Sequence, residues 1–560
     1  MRKLAIALIC AAIMHGAAQI PASAPVSIQV DLARPQGPFK PIYSWFGYDE
    51  SNYTTIKYGK QLLRELHDLS PVPVYIRAHH LLTSGNGVAE LKWSSSNVFA
   101  LDDNGKPAYD FTITDQTFDE FQRAGVRPMV ELGFMPRDLA ATVPGVDAYQ
   151  VHYPANTTSG ASNNPPKDYA MWGKLIRRYT EHFVERYGKA EVSTWYFEVW
   201  NEPDISYWHG TPAEYFKLYD YAVAGVRAAL PNALVGGPAT TGPTSDKAAA
   251  FLDTFLQHCL NDKSAANGKP IPIDFISFHP KGRQTVVDGH VRMGLSNELK
   301  ATDAGFRIVA KFPKYIRLPI VLSEADPEGC AACSMKANPA NAYRNGPLYA
   351  TCTAAAIKAL FDLQDRSNVN LLAMLSWSFE FEGKEYFEGF RTLATNGVDK
   401  PALNVFRMAG PMSGERVMTS STGQVPLDDI LSMGVKRTPD VDVLATKAED
   451  GAAIMLWNCH DDDLPTPATE VQVTVLGISP EVKKVLLQHY RIDDTHSNSY
   501  SVWKAMGSPQ TPTARQYAQL KEAGQLELLN SPQWLEVSAG KVIISTVLPR
   551  QATSMMRLTW

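Results

Sequence analysis

Cysteine is scarce in this chain, with six in 560 residues. That is too few for a disulfide scaffold, so the fold must rest on buried apolar surface. Excess charge is scarce too: 53 basic residues face 58 acidic ones, for a net charge of −5. No Arg/Lys stripe runs along the chain, which argues against a nucleic-acid partner. The apolar run Leu4–Met14 is too short to span a bilayer, and no later segment reads as transmembrane. No strand candidate is followed by an intact G-x-G-x-x-G turn; "SGNGVAE" (84–90) breaks the pattern at its last position. No H-E-x-x-H occurs, and no His-x-His lies on the first strand candidate. Internal repeats and low-complexity segments are missing as well.

What is present begins with Arg2 and Lys3, a short apolar run and then small residues. This pattern predicts a secretory signal over residues 1–24, with cleavage after Ala18 or Ala24, and a secreted or periplasmic protein that leaves the membrane after cleavage. Cys10 would go with the signal. Cys259, Cys330, Cys333, Cys352 and Cys459 would remain, an odd set with at least one free or intermolecular thiol. Cys330-Ala-Ala-Cys333 has no second pair at zinc spacing, so it reads as a local disulfide or as two plain thiols. The 11 Trp and 23 Tyr offer flat faces on which sugar rings stack, although most such residues belong to a core.

At about 150 residues per domain the length predicts two to four domains, fewer if one is a barrel. Between residues 41 and 410 strand and helix patterns alternate. The strand candidates are 43–50, 72–80, 126–134, 193–202, 233–240, 273–280, 318–326 and 369–379. Amphipathic runs such as "MWGKLIRRYTEHFVERY" lie between them. Apolar strands alternating with helices predict a parallel sheet, and eight of them predict a closed (β/α)₈ barrel, with an open doubly wound sheet as the alternative. Residues 411–560 switch to stretches that alternate apolar and polar residues, with turn signals between, which predicts a β-sandwich. The alternating stretch within 25–40 is read as a further strand of that sandwich.

A barrel of this type carries its site at the C-terminal ends of the strands. Those ends hold Arg77, His79 and His80, then Glu131, then Asn201 and Glu202. His279 and Lys281 follow, then Glu324 and Asp326, then Trp377, Glu380 and Glu382. Two carboxylates on separate strands, facing across one mouth, suit glycoside hydrolysis. One must carry a proton for the leaving oxygen while the other stays ionised, so their surroundings must push their pKa values apart. Glu198 lies four residues before Glu202, about 13 Å deeper if the strand continues at roughly 3.3 Å per residue. It reads as an ion-pair partner inside the barrel.

Here a resemblance becomes specific. "EVWNEPD" (198–204) resembles the acid/base motif of retaining glycosidases built on (β/α)₈ barrels, and "VLSEADPEG" (321–329) resembles their nucleophile segment. The Glu-Ala-Asp-Pro string is similar to that of glycoside hydrolase family 39, the β-xylosidases and α-L-iduronidases. "FGYDESNYTT", "RAHHLL", "ELGFMP", "ISFHPKG" and "YRIDDTHSNSY" follow in family order and carry the likeness across nearly the whole chain after the signal. The resemblance implies Glu202 as acid/base, Glu324 as nucleophile and Asn201 on the sugar's 2-hydroxyl. It implies His79 and His279 lining the subsite, Arg77 holding Glu324 ionised and Trp377 flooring the sugar. No cofactor and no metal is expected, and the oligomeric state stays open.

The sugar is less sharply marked. Lys281 in "HPKG" and Arg391 in "FRTLATN" resemble residues that contact the carboxylate in iduronidases. Glu380 and Glu382 in "SWSFEFEG" resemble the acidic, aromatic segment of β-xylosidases, and Lys281 could pair with one of them instead. The favoured reading is an exo-β-xylosidase acting on xylo-oligosaccharides. α-L-Iduronidase, arabinosidase and β-glucosidase activities are the alternatives on the same site. A secreted carbohydrate-binding protein and a metal hydrolase built on His79, His80 and His279 are the rivals from other classes.

Overall fold

The computed structural model describes residues 24–146, 149, 160–377 and 379–560. The signal reading falls on residues outside these. Eight parallel strands close into a barrel. In chain order they are Trp45–Tyr48, Tyr75–Ala78, Arg127–Leu132, Tyr196–Val199, Leu234–Thr241, Phe275–His279, Pro319–Leu322 and Asn370–Trp377. The eighth pairs in parallel with the first, Leu375 opposite Trp45, which closes the ring and excludes the open sheet. Every predicted strand is present, but most stop short of the predicted C-terminal end. Glu202, Lys281, Glu324 and Glu382 all sit in the turns just beyond.

The barrel interior is built in layers by the two-residue period of a strand. Tyr75, Arg77 and His79 rise in steps of two from the second strand. Met129 and Glu131 do the same on the third, and Tyr196 and Glu198 on the fourth. The lowest layer is apolar: Trp45 stacks on Tyr75 at 4.0 Å, and Tyr196 meets Trp45 and Phe275 edge-on. The layer above it holds Arg77 with Glu131 and Glu198, all buried.

Helices Lys57–His67, Tyr169–Tyr187 and Pro212–Ala229 match predicted amphipathic runs. The last opens with a capping box between Thr211 and Glu214, with Pro212 at its first position where a missing N–H costs nothing.

The remaining sheet is one hydrogen-bonded assembly of ten strands rather than two separate ones. Val26–Pro38 sits inside it, antiparallel to Glu415–Ser421 and parallel to Thr469–Leu476. Strands at or next to the two ends of the path, Lys484–Ile492 and Val542–Leu548, send Val485 and Ile544 into one core, so the sheet folds over on itself. Strand Gly451–Cys459 is buried along its whole length. Ala452, Ile454 and Leu456 face that core, whereas Ala453, Met455 and Trp457 join the core of the barrel. Barrel helix Pro347–Ser367 seals this contact, with Thr351 donating to the Gln551 carbonyl at 2.6 Å and Lys358 paired to Asp442 at 3.2 Å.

Candidate active site

Glu202 and Glu324 come together at the C-terminal mouth of the barrel. An oxygen of each, with a ring nitrogen of His279, lies in a cluster whose members are all within 4.8 Å of one another. The fourth strand ends at Val199, and the chain then turns through left-handed backbone at Trp200 (φ 72°) and Glu202 (φ 44°). Such conformations cost of order 1–3 kcal/mol each and persist where surroundings over-determine them. Here the Glu202 N–H donates to the Ala239 carbonyl at 2.8 Å, and the Trp200 indole donates to the Tyr207 carbonyl at 2.8 Å. The straight-strand estimate of 13 Å between Glu198 and Glu202 therefore fails beyond Val199.

Arg77 ties the two levels of the barrel together. Its Nε donates to Glu198 at 2.5 Å, one Nη pairs with Glu131 at 2.8 Å, and the other reaches Glu324 Oε1 at 3.1 Å. It also donates to Asn201 Oδ1 at 3.0 Å, which fixes how the amide is turned. Glu198 is thus an ion-pair partner beneath the site. His79 pairs with Glu131 at 2.5 Å and lies 3.5 Å from Glu324. Burial works against its charge, but Glu131 and Glu324 outweigh that and lift its pKa to about 9.

Glu324 is pulled in two directions. Burial would raise its pKa, yet Lys281, His279, His79 and Arg77 together hold it well below the usual carboxylate range. For Glu202 burial again opposes charge, and Lys281 and His279 overcome it to leave the group lowered. The Lys281 ammonium touches Glu324 Oε2 and lies 3.6 Å from Glu202 Oε1. The alternative pairing of Lys281 with Glu380 or Glu382 does not form; the ammonium bridges the two central carboxylates instead. Among the described residues, Glu202, His279 and Glu324 are the one grouping with three metal-type donors, and the ammonium lies against both of its carboxylates.

A cavity of about 920 Å³ opens above this pair. His79, Asn201, Glu202, Lys281, Glu324, Trp377, Glu382 and Arg391 all contribute to its wall. Trp377 is steered by Asp49, which accepts its indole N–H at 3.1 Å. It packs so tightly on the first strand that a Cβ at Gly47 would stand 2.4 Å from the ring, so only glycine allows the approach.

Two expected contacts, His279 and Glu380, are corrected, and Arg391 keeps its place in the wall with its guanidinium bound to protein. His279 lies behind the wall: Nδ1 meets Glu202 at 2.9 Å and Nε2 meets Ser323 at 3.1 Å, so both nitrogens are spent on protein. Glu380 is buried away from the cavity and accepts the Gly397 N–H. Arg391 borders the cavity, but its guanidinium is committed to the Trp377 and Glu328 carbonyls and to Asp326. For Glu380 and Arg391 the cause is shared: beyond Trp377 the chain is no longer extended, so the period of two stops predicting direction.

The proposed histidine metal triad does not converge. His80 has left-handed backbone (φ 62°) and turns Nδ1 to Thr83 at 3.1 Å. Asp326 accepts from Tyr349, Ser376 and the Trp377 N–H, which shapes the turn after Glu324.

Sequence reasoning missed the outer wall. Ala89, Glu90, Leu91 and Lys92 form one side, and the Cys330–Cys333 disulfide with Ala331 and Ala332 forms another. Both stretches carried signals: "SGNGVAE" as a glycine-rich turn and "CAAC" as a cysteine pair. Neither spacing says that the loop folds over a barrel mouth.

A family model for glycosyl hydrolases family 39 matches residues 26–530. The chain belongs to that family. It is accordingly a glycoside hydrolase. A β-xylosidase of Caldicellulosiruptor saccharolyticus is 28% identical over 436 residues, covering 76% of this chain and 78% of the relative. A mouse α-L-iduronidase is 24% identical over 535 residues, covering 89% and 76%. In fold, the family 39 enzyme is similar to the crystal structure of a monomeric β-xylosidase from Caulobacter crescentus CB15. That match has a TM-score of 0.74 at 22% identity and covers 95% of this chain and 99% of the other.

Proposed function

We propose that this family 39 enzyme is a retaining exo-β-xylosidase that releases β-D-xylose from the non-reducing ends of xylo-oligosaccharides. The observation that carries the reading is the approach of Glu202 and Glu324, whose nearest oxygens lie within 4.8 Å. Retaining glycosidases hold their carboxyl groups about 5–5.5 Å apart, while inverting ones leave about 6.5–9.5 Å for a water.

In the first step Glu324 attacks the anomeric carbon and Glu202 gives its proton to the departing glycosidic oxygen. In the second, Glu202 takes a proton from water, whose oxygen displaces Glu324 from the glycosyl ester. Two inversions leave the anomeric configuration unchanged. Arg77 and His79 keep Glu324 ionised for attack. Asn201, held by Arg77, presents its amide to the 2-hydroxyl, and Trp377 supplies the apolar floor.

The choice of a neutral pentose rests on the xylosidase relative and on the acidic side chains of Glu90 and Glu382 in the cavity wall. A uronate carboxylate would meet repulsion there. The second reading, an α-L-iduronidase, draws on Lys281, whose side chain is 29% exposed toward the cavity. A secreted or periplasmic setting is part of the proposal. Its support is the N-terminal pattern and the Cys330–Cys333 disulfide, a bond typical of oxidising compartments.

The test is a panel of aryl β-xyloside, α-L-iduronide, α-L-arabinoside and β-glucoside, run on wild type and on Glu324→Ala. We expect the β-xyloside to give the highest kcat/KM. We expect Glu324→Ala to lose on the order of 10³-fold or more, with azide restoring part of the rate. Preference for the iduronide would overturn the substrate, and an active Glu324→Ala would overturn the nucleophile.

A further inference from the structure

Lys281 has no part in the double displacement as written, yet it occupies the centre of the site. Its backbone is locked there. Residue 281 bridges Asp326 in parallel, and the Gly282 N–H donates to the Asp326 carbonyl at 2.7 Å. A Cβ on Gly282 would stand 2.1 Å from the Pro327 carbonyl oxygen, so this close seating of the two strand exits requires glycine.

The two oxygens of Glu324 are held differently. Oε1 receives Arg77 from the buried side and has His79 and His279 at 3.5 and 3.6 Å. Oε2 is held by Lys281, whose side chain is the partly exposed one of this set. Oε2 is therefore the oxygen on the substrate's side. An attacking oxygen needs the reacting carbon about 3–3.5 Å away. An ammonium seated on that oxygen and 3.6 Å from Glu202 fills the space the anomeric carbon must enter.

We infer that Lys281 is a positioning residue that holds the resting Glu202–Glu324 pair doubly ionised and withdraws when the sugar enters between them. The inference rests on the roles proposed above for the two glutamates. Buried carboxylates this close repel, and without a cation one of them would keep a proton at neutral pH. While the ammonium is in place Glu202 is the wrong form for a general acid. Once it withdraws, Glu202 faces His279, the charge of Glu324 and nearby Asp204, and takes up a proton from solvent. That proton goes to the leaving oxygen. Formation of the glycosyl ester then removes the charge on Glu324, which lets Glu202 act as the base for water. Arg77, His79 and Arg391 keep facing Glu324 throughout, so its ionisation does not depend on Lys281 alone.

The experiment compares kcat/KM against pH for wild type, Lys281→Met and Lys281→Arg. The substrate is an aryl xyloside with a poor leaving group, so that protonation by Glu202 counts. Removing the cation raises the pKa of both carboxylates. We expect both limbs of the Lys281→Met profile to move to higher pH by about one unit or more, and Lys281→Arg to keep the wild-type limbs. Loss of rate with both limbs unmoved would overturn the inference and leave Lys281 a substrate contact. Lys281→Gln gives the same reading should the methionine variant fail to fold. An active Glu324→Ala would instead sink the assignment of the pair, whatever the limbs do.

Discussion

Glu380 and Glu382 stand two positions apart, and only Glu382 reaches the cavity wall. Glu382 also accepts the Tyr58 N–H at 3.2 Å, whereas Glu380 is sealed beneath with one oxygen unpartnered. Burial lifts the Glu380 pKa to about 8, with Asp399, Glu65 and Glu382 adding to the rise against the Gly397 N–H. A carboxyl whose folded pKa is raised gives stability that is complete below its unfolded value near 4.3. That stability is lost as pH climbs through 8, at about 1.4 kcal/mol per unit. Gln stays neutral and can still accept from Gly397. We expect Glu380→Gln to leave kcat and KM within about threefold of wild type. Its Tm advantage over wild type should widen between pH 5 and 8. A constant Tm gap would mean that Glu380 stays ionised in the fold. At the same scale, the meeting of Glu202 and Glu324 at one mouth was readable because each sits in an unusual string at a strand end. The direction of His279, Glu380 and Arg391 was not, because it depends on partners such as Ser323, Gly397 and Asp326 that no spacing rule names.

Among the elements, the strands were the legible part. Val, Ile, Phe and Tyr in short runs between amphipathic helices predict a parallel sheet, and seven of the eight strands formed within the predicted windows, the fifth running one residue past its own. Their ends were less legible, since residues such as Glu202 keep strand-like neighbours while the backbone turns left-handed. The loops were illegible because they follow contacts rather than propensity. The loop at 329–333 illustrates this. Its carbonyls at Gly329 and Cys333 accept Arg344, and the Ala331 carbonyl accepts the Arg391 N–H. The Cys330–Cys333 bond crosses the same loop. It closes a very short loop, so its removal should cost global stability only about 2 kcal/mol or less. We expect Cys330→Ser with Cys333→Ser to raise KM about three- to tenfold with kcat nearly unchanged, and reductant to act likewise on wild type. An unchanged KM would show that this wall does not touch substrate.

At the scale of the whole molecule, barrel and sheet are one folded object. Strand Gly451–Cys459 gives alternate residues to two cores, which is why "AAIMLWNC" reads as a continuous apolar run within an otherwise alternating region. Helix Pro347–Ser367, on which the sheet rests, lies between the seventh and eighth strands and so backs the exit that carries Glu324. Among the described residues no helix is long and apolar enough to cross a membrane. The chemistry rests on the separation that this frame imposes on two carboxylates. The stereochemical course of hydrolysis reads that separation directly. Proton NMR of the first sugar released from the preferred aryl glycoside, recorded before mutarotation, should show the anomer of the substrate, β-xylose from a β-xyloside. The opposite anomer appearing first would contradict the account, because inversion needs carboxyl groups about 6.5–9.5 Å apart, whereas an oxygen of Glu202 and one of Glu324 lie within 4.8 Å of each other.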